Sequence, residues 1–193
     1  MRLPAHSPLM GGEMFTVECF EGTKHHLFPL VEALRSTCWR SALDDLRSLD
    51  DGHDDHSLHW AVTSGTDVVA AARMCKHNEI ESVPDPHLWL NPPHTGVLLP
   101  VACINRLVVH PNFRGCGIGI ALDQARAAEA VALECRTILG AWNVNSGEKR
   151  LKQLESQGFV SVNGNQPVPD GDFGFSYPYA KSISLVKVAH AEV

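Results

Sequence analysis

The sequence predicts an α/β fold in which about four helices flank a single central sheet of about seven strands. Segments with the two-residue alternation of strands are interleaved with segments of helical periodicity. One apolar strand also runs through a glycine turn straight into a helix, within residues 101–133. A length of 193 residues, with 44% hydrophobic and 20% charged side chains, suits one globular domain. We expect residues 1–12 to be a flexible tail and residues 13–193 to form that domain.

The first half of the chain reads as a strand, a helical region and a hairpin. Residues 13–20 alternate apolar and polar side chains, which predicts the first strand. Residues 24–49 are predicted to be helical because apolar side chains recur every three or four positions and would form one buried stripe. That stripe consists of Leu27, Leu30, Val31, Leu34 and Cys38. Residues 56–63 and 67–76 then have the pattern of a β-hairpin.

Prolines dominate the segment between residues 77 and 100, and they exclude a regular helix or a central strand over most of it. These are Pro84, Pro86, Pro92, Pro93 and Pro100. Further along, strands are predicted at 101–109, 137–144, 159–163 and 182–188, and helices at 118–133 and 147–157. Residues 163–179 are rich in glycine and proline, and we expect them to be irregular.

Three glycines at alternate positions, Gly115, Gly117 and Gly119, follow the apolar strand that ends near residue 109. Glycine allows the backbone to adopt positive φ values and to approach an anion closely. The helix that begins near Gly117 adds the partial positive charge of its N-terminus, and Arg114 adds a full positive charge. The pattern therefore predicts a loop that binds a pyrophosphate.

Two other kinds of phosphate-binding loop are excluded because residues that they require are absent from this segment. A nucleoside-triphosphate loop ends in Gly-Lys-Ser/Thr, whereas Ile120 and Ala121 follow Gly119 here. A dinucleotide loop needs G-x-G-x-x-G, and Ile120 or Leu122 stands where its third glycine belongs. Neither kind of nucleotide is therefore the predicted ligand.

The segment from Leu107 to Ile120 resembles instead the coenzyme A loop of the GNAT superfamily of N-acetyltransferases, Arg/Gln-x-x-Gly-x-Gly/Ala after a strand ending in Leu-x-Val-x-Pro. The resemblance extends to Gly158-Phe159 and covers about the last half of the chain. It implies a mixed, mostly antiparallel sheet that splays between its fourth and fifth strands, with the pantetheine arm of the cofactor in the gap. It implies acetyl-CoA as the co-substrate and no metal.

The resemblance also implies which residues bind the cofactor. Backbone groups of Leu107, Val108 and Val109 would pair with the pantetheine arm, and the Leu107 amide would hold the thioester oxygen as negative charge develops there. The residues expected around the pyrophosphate are Arg114, Gly115, Cys116, Gly117, Ile118, Gly119 and Ile120.

The chain departs from the family pattern where the general acid is expected. Many members have a tyrosine four residues before the Gly-Phe pair, where this chain has Leu154, which cannot donate a proton. On the strand before the loop, where members often carry a carboxylate, this chain has Cys103 and Asn105. The remaining catalytic candidates are Asn143, Asn145 and Ser146. Ser146 would hydrogen-bond the leaving sulfur, and it also suits capping of the helix that follows.

A looser resemblance in the first half is to acyl-homoserine-lactone synthases and related GNAT proteins, whose pattern is W, D-x-x-D and G-x-x-R. The matching residues are Trp39, Asp50-Asp51, Asp54-Asp55 and Arg73. This resemblance implies that Arg73 and Arg106 line the acceptor side and favour a substrate that carries a carboxylate. Coincidence stays open because such short patterns specify little. Trp142 lies where the pantetheine arm could touch it and is a third substrate-side candidate.

The run from His53 to His59 contains histidine and aspartate, which are metal-ligand types. We nevertheless expect a solvated connection and not a metal site. His56 and His59 are three residues apart on an expected strand, so their side chains would point to opposite faces of the sheet. The cysteines are scattered without C-x-x-C pairing, which predicts neither disulfides nor structural zinc.

A net charge of -6 without clustered Lys and Arg excludes a nucleic-acid surface, and no apolar run has the length of a membrane span. We expect a cytoplasmic protein, with homodimerisation left open. The predicted activity is transfer of an acetyl group from acetyl-CoA to a primary amine of a small molecule or peptide, by direct attack in a ternary complex. Two alternatives stay open: a longer-chain acyltransferase like the acyl-homoserine-lactone synthases, and a non-catalytic sensor of coenzyme A.

Overall fold

The computed structural model describes residues 7–8, 14–40, 51–90, 96–143, 148–164, 166–170 and 175–183. Its strands are β1 (Ser7–Pro8), β2 (Met14–Glu21), β3 (Leu58–Ser64), β4 (Asp67–His77), β5 (Val101–Val109), β6 (Thr137–Asn143), β7 (Val160–Ser161), β8 (Val168–Pro169) and β9 (Phe175–Ser182). Its α-helices are α1 (Phe28–Arg40), α2 (His87–Leu90), α3 (Ile118–Ala132) and α4 (Glu148–Ser156). No helix within these ranges is both long and apolar enough to cross a bilayer.

The strands form one sheet in the order β1-β2-β3-β4-β5-β6-β9-β7, and β8 pairs with β9. The pair β5–β6 is parallel, and the other pairs are antiparallel. The predicted mixed, mostly antiparallel sheet flanked by helices is thus confirmed. Strand β1 lies within the predicted tail and pairs with the start of β2.

Helices cover both faces of the sheet because side chains of successive strand residues point to opposite faces. On one face, Ile118 and Leu122 of α3 pack with Ala72, Ile104 and residues of the neighbouring strands. On the other face, α1 packs against the middle of the sheet and α2 against β5, β6 and β9. We call these the α3 face and the α1 face.

The parallel pair β5–β6 separates partway along its length. Residues from Val101 to Cys103 pair with residues from Thr137 to Leu139, and no later pairing joins these strands within the described chain. Strand β5 nevertheless stays paired with β4 as far as Val109, and β6 stays paired with β9. Two strand edges therefore face a gap. Because β5 and β6 are the fourth and fifth of the predicted strands, this gap confirms the predicted splay.

The prediction of the last strand was wrong. We expected it at residues 182–188 and an irregular segment at 163–179, but β9 occupies Phe175–Ser182 and lies between β6 and β7. Pro178 is tolerated because its missing N–H would point toward Val162, just past the end of the two-residue strand β7. The Pro178 carbonyl still accepts a hydrogen bond of 3.2 Å from the Val162 amide.

The buried stripe of α1 is confirmed except at one residue. Leu27, Val31 and Leu34 are buried against the α1 face, whereas Leu30 is 44% exposed. Leu30 lies at the margin of the stripe, where a helical side chain reaches solvent instead of the sheet. Helix α1 itself begins at Phe28, later than predicted, and residues 41–50 of the predicted helical region lie outside the described residues.

Candidate active site

The glycine loop joins β5 to α3 at the open end of the gap. Gly115 has φ +85° and Gly117 has φ +80°, and an added Cβ at either would meet nothing within 4 Å. Gly117 is the N-cap of α3 and has no side chain with which to cap the helix. The amides of the first turn of α3 therefore face the exposed side of the loop, which is the arrangement that suits an anion.

The prediction that all three glycines use positive φ was wrong at Gly119. This residue lies inside α3 with a helical backbone. A Cβ at Gly119 would stand 3.8 Å from Leu107 Cδ2 and 4.0 Å from Val109 Cγ2, which are ordinary contact distances between α3 and β5. Gly119 therefore occupies a helical position with room for a methyl group, which the spacing of the glycines alone could not distinguish from a turn.

The other predicted loop residues differ in exposure. Arg114, Cys116 and Ile120 are exposed, whereas Ile118 is buried in the α3 face. The Arg114 side chain folds back so that its Nε donates a hydrogen bond of 3.1 Å to the Val109 carbonyl. Arg114 thereby fixes its guanidinium beside the last residue of β5.

A β-bulge interrupts β5 where it borders the gap. Ala71 pairs with Val108 and Arg73 pairs with Asn105, so Arg106 and Leu107 stand opposite Ala72 alone. Arg106 has φ +53°, a left-handed conformation that is uncommon for a side chain other than glycine. Bulges of this kind re-aim backbone groups out of the ladder. The bulge includes Leu107, the predicted donor to the thioester oxygen.

The bulge is held from the α3 face by Arg126. This fully buried residue donates from Nη1 to the carbonyls of Arg73 and Asn105, each at 3.1 Å. Its Nη2 is hydrogen-bonded to Asp123, which also accepts from Arg150 at the start of α4. One chain of polar contacts therefore joins the bulge, α3 and α4.

Across the gap, β6 and β9 carry the other described candidates. The Trp142 and Tyr177 rings are in contact, tilted by 39° with their centroids 4.8 Å apart, and Asn143 Nδ2 lies 3.5 Å from Ser176 Oγ. Asn145 and Ser146 lie outside the described residues. Leu154, at the position of the usual tyrosine, is only 1% exposed and packs in the core.

On the α1 face, charged residues from four parts of the chain meet in one group, which we call the arginine–aspartate cluster. It consists of Arg35, Asp51, Asp54, His59, Arg73 and Arg106. Arg35 Nη1 lies 3.0 Å and 3.1 Å from the two Asp54 oxygens. Burial favours the protonated carboxyl, but the hydrogen bonds from Arg73 and Arg106 lower the pKa of Asp51 well below its ordinary range.

Arg73 sits at the centre of the cluster and is fully buried. Its Nε donates to Asn105 at 2.8 Å, and its Nη1 and Nη2 donate to Asp51 at 2.7 Å and 2.5 Å. This placement corrects the expectation that Arg73 lines the acceptor side, because its donors are already used by protein oxygens. Arg106 is different: its side chain is 15% exposed and its guanidinium carbon lies 5.3 Å from the Trp39 ring centroid.

The expected solvated connection from His53 to His59 was wrong, because Asp54 and His59 are buried in this cluster. Burial lowers the pKa of His59, whose Nε2 lies 3.0 Å from the Asp54 carbonyl and whose Nδ1 lies 3.3 Å from Arg35 Nη2. A separate set of metal-ligand types, Glu18, His25 and His26, comes together on the surface near β2. There His25 Nε2 lies 3.0 Å from Glu18 Oε1.

Sequence reasoning missed two acidic residues that lie in irregular segments. Asp170 accepts a hydrogen bond from the Ser176 hydroxyl, and its Oδ1 lies 3.5 Å from His87 Nε2. Burial and the neighbouring Asp170 carboxylate raise the pKa of Asp85. Neither residue belongs to a motif, so only the folding of their loops onto the sheet brings them together.

Known proteins share this fold. The model of the acetyltransferase (GNAT) family matches residues 25–159. Among solved structures, the chain is similar to an acetyltransferase from Streptococcus agalactiae 2603, with 18% identity, a TM-score of 0.58, and 88% of this chain and 98% of that chain covered. It is similar to Escherichia coli ElaA, with 15% identity, a TM-score of 0.62, and coverage of 88% and 100%.

A third similar structure is the NatC complex bound to Gag peptide and CoA, with 11% identity, a TM-score of 0.61, and coverage of 88% and 99%. At these identities, structural similarity shows the fold alone. No curated protein sequence matches the chain significantly. The family model, however, matches more than half of the chain, and the protein therefore belongs to the acetyltransferase (GNAT) family.

Proposed function

We propose that this protein transfers an acyl group, in the first instance acetyl, from coenzyme A to a primary amine of a small molecule or peptide. The observation that carries the proposal is the gap between β5 and β6, which opens after Cys103 and leads to the Gly115–Gly117 loop. Direct attack by the amine in a ternary complex is the simplest reaction that this layout serves. The NatC complex, a structural neighbour bound to CoA and a peptide, supports the choice of donor.

The residues present fit coenzyme A. The open space above Gly115 and Gly117 and the first-turn amides of α3 suit its pyrophosphate, together with Cys116, Ile118 and Ile120 around them. Strand edges of the kind left at Val108 and Val109 can hydrogen-bond the amides of an extended chain. The coenzyme supplies the activated thioester, and the Leu107 amide at the bulge donates to its carbonyl oxygen.

On the acceptor side, we assign Asn143, Asn145 and Ser146 to hydrogen bonds around the reacting groups and Trp142 to the wall beside the pantetheine arm. The amine must lose a proton before it attacks. We assign the proton to Asp85, because its neighbour Asp170 accepts a hydrogen bond from Ser176, which in turn lies beside Asn143 at the gap. Burial and the Asp170 carboxylate also raise the pKa of Asp85. A cytoplasmic location stays a prediction.

The first experiment is a calorimetric titration of acetyl-CoA and of CoA into the wild type and into Gly117→Glu. A carboxylate at this position would repel the pyrophosphate, so we expect binding to fall by at least about tenfold, equivalent to about 1.4 kcal/mol. Gly65→Glu is the matched control, because Gly65 has φ +61° and open space but lies in the β3–β4 turn. Equal binding by Gly117→Glu and Gly65→Glu would refute the loop assignment.

A sensor that binds coenzyme A without turnover is the second candidate, and the burial of Leu154 at the usual tyrosine position favours it. Release of free thiol from acetyl-CoA across a panel of amines separates the two functions. Thiol release with a product of the expected mass supports the enzyme, whereas binding without release supports the sensor. Competition between acetyl-CoA and longer acyl-CoA esters in the same assay tests the longer-chain alternative.

A further inference from the structure

Three side chains of metal-ligand types meet where β2 passes the start of α1. They are the Glu18 carboxylate and the His25 and His26 imidazoles, and one ligand atom from each lies within 4.8 Å of the other two. Among the described residues, this is the one group of three such side chains whose ligand atoms come so close together. We call these three residues the glutamate–histidine cluster.

Two different elements bring the cluster together. Glu18 pairs with Ala61 and lies two residues before Phe20, and both of these neighbours are buried on the α1 face. The Glu18 side chain therefore leaves β2 on the same face. The turn that carries His25 and His26 leads into α1, which packs on that face. The carboxylate and the two imidazoles thus approach each other from the strand and from the start of the helix.

The His25 ring is already held in position. It stacks on Phe20 with the ring centroids 4.2 Å apart and the ring planes 14° apart, and its Nε2 lies 3.0 Å from Glu18 Oε1. The centroid of the His26 ring lies 4.4 Å from that of His25. Because these contacts already restrict the His25 ring, it loses little conformational entropy when it binds an ion.

The ligand set fits Zn²⁺. Imidazole nitrogen and carboxylate oxygen bind Zn²⁺ at about 2.0–2.2 Å, so the ligand atoms of a tetrahedral ion lie about 3.3 Å from one another. The distance of 3.0 Å between His25 Nε2 and Glu18 Oε1 is close to this spacing, and the exposed His26 ring can rotate to complete it. The Glu18 and His25 side chains are 45% and 25% exposed, so an ion can reach them from solvent.

We propose that Glu18, His25 and His26 bind a Zn²⁺ ion that ties β2 to the start of α1, with water in the fourth position. The Phe20 ring beneath His25 also stacks on His59 of the arginine–aspartate cluster, with the centroids 5.4 Å apart. The ion would therefore stabilise the packing of α1 on the sheet. The inference does not depend on the proposed acyl transfer.

Binding of the ion changes one hydrogen bond of the protein. His25 Nδ1 accepts a hydrogen bond of 3.4 Å from the Leu27 amide, which places the proton of the neutral ring on Nε2, facing Glu18. Zn²⁺ binds Nε2 in place of that proton, and the proton moves to Nδ1. The long hydrogen bond from the Leu27 amide is then lost, so the amide resonance of Leu27 reports on the occupied site.

The test is a calorimetric titration of Zn²⁺ into the full-length, chelator-treated protein and into Glu18→Gln, His25→Gln and His26→Gln. His56→Gln is the matched control, because His56 is an exposed histidine outside the glutamate–histidine cluster. A parallel titration uses Mg²⁺, which prefers oxygen ligands and should not bind this set.

Two further variants control for thiols, which also bind Zn²⁺. They are Cys19→Ser and Cys116→Ser, which remove the exposed cysteines. Urea unfolding of every variant without metal checks that it is folded. The same measurement with Zn²⁺ tests stabilisation, because an ion that binds only the folded chain raises the midpoint of unfolding.

We expect the wild type to bind one Zn²⁺ ion and each of the three ligand variants to bind it at least about tenfold more weakly, equivalent to about 1.4 kcal/mol. The histidine and cysteine controls should bind Zn²⁺ as the wild type does. Zn²⁺ should raise the urea midpoint of the wild type and leave that of His25→Gln nearly unchanged. In the wild type, the Leu27 amide resonance should shift as the ion is added.

Undiminished Zn²⁺ binding by Glu18→Gln, His25→Gln and His26→Gln would overturn the proposal, and so would loss of binding in Cys19→Ser or Cys116→Ser. A wild type that binds no Zn²⁺ would also overturn it. The Leu27 resonance needs no variant, so the proposal stays falsifiable even where a variant does not fold. An unchanged Leu27 resonance at saturating Zn²⁺ would refute the site.

Discussion

Gly117 and Gly119 lie two residues apart, yet they are glycine for different physical reasons. Gly117 has φ +80°, a left-handed conformation that is energetically unfavourable for any residue that has a Cβ. Gly119 is helical, and its added Cβ would make only ordinary contacts at 3.8 Å and 4.0 Å. The loop therefore contains one glycine that the backbone conformation requires, Gly117, and another at a position where a methyl group would also fit, Gly119.

We expect Gly117→Ala to lower the free energy of unfolding by about 1–2 kcal/mol, because alanine resists the left-handed conformation. Gly119→Ala should be neutral or should stabilise the protein by up to about 1 kcal/mol, because alanine favours the helix. Urea unfolding of both variants measures the difference. A loss at Gly119 as large as that at Gly117 would show that the helical position also requires glycine and would contradict this expectation.

At the scale of elements, Arg126 connects the helix that begins at the glycine loop with the bulge in β5. The sheet ladder is irregular there, and the Arg126 guanidinium supplies donors to the carbonyls of Arg73 and Asn105. The Asp123 carboxylate accepts hydrogen bonds from this arginine and also from Arg150, Gln153 and Gln157. The relative position of the loop and the bulge therefore depends on a buried polar side chain as well as on apolar packing.

We expect Arg126→Met to lower the free energy of unfolding by about 3–5 kcal/mol, because it leaves the Arg73 and Asn105 carbonyls without this donor and removes one of the two arginines that pair with the buried Asp123 carboxylate. Lys152→Met is the control. Its ion pair with Glu148 spans 3.8 Å between side chains that are 75% and 82% exposed. Such an exposed pair contributes about 0–1 kcal/mol. Urea unfolding compares the two variants, and similar losses would show that the Arg126 network contributes little.

At the scale of the whole molecule, two histidines with lowered pKa values, His59 and His77, predict how stability depends on pH. Burial, with the charges of His53 and Arg73, lowers the pKa of His77 to about 4 from an ordinary 6.5. Burial also lowers the pKa of His59. Between about pH 6.5 and 4 the unfolded chain therefore binds protons that the native protein does not. The stabilisation is complete above pH 6.5 and is lost as the pH falls through this window.

We expect the free energy of unfolding to fall between pH 7 and 4, with a slope of up to about 1.4 kcal/mol per pH unit for each such histidine. His77→Gln should reduce that slope, whereas the same change at the exposed His56 should not. Urea unfolding at pH 7, 5.5 and 4.5 provides the measurement. An unchanged slope in His77→Gln would show that His77 is not the titrating group.

The sequence alone determined the features that depend on residues close to one another along the chain. The strand–loop–helix unit from β5 to α3, the β3–β4 hairpin and the buried stripe of α1 follow from periodicity and turn chemistry, which are local properties of a chain. The glycine loop could be recognised for the same reason, since its residues are contiguous.

The tertiary structure alone decided which distant residues meet. Strand β9 contains a proline and depends on β6 and β7 for its pairing, so its own sequence suggested an irregular segment. The arginine–aspartate cluster joins residues as far apart as Arg35 and Arg106. A charged side chain has the same sequence signature whether it is solvated or buried against a counter-charge. Only packing determines that Arg73 is enclosed, whereas the Arg106 side chain is 15% exposed.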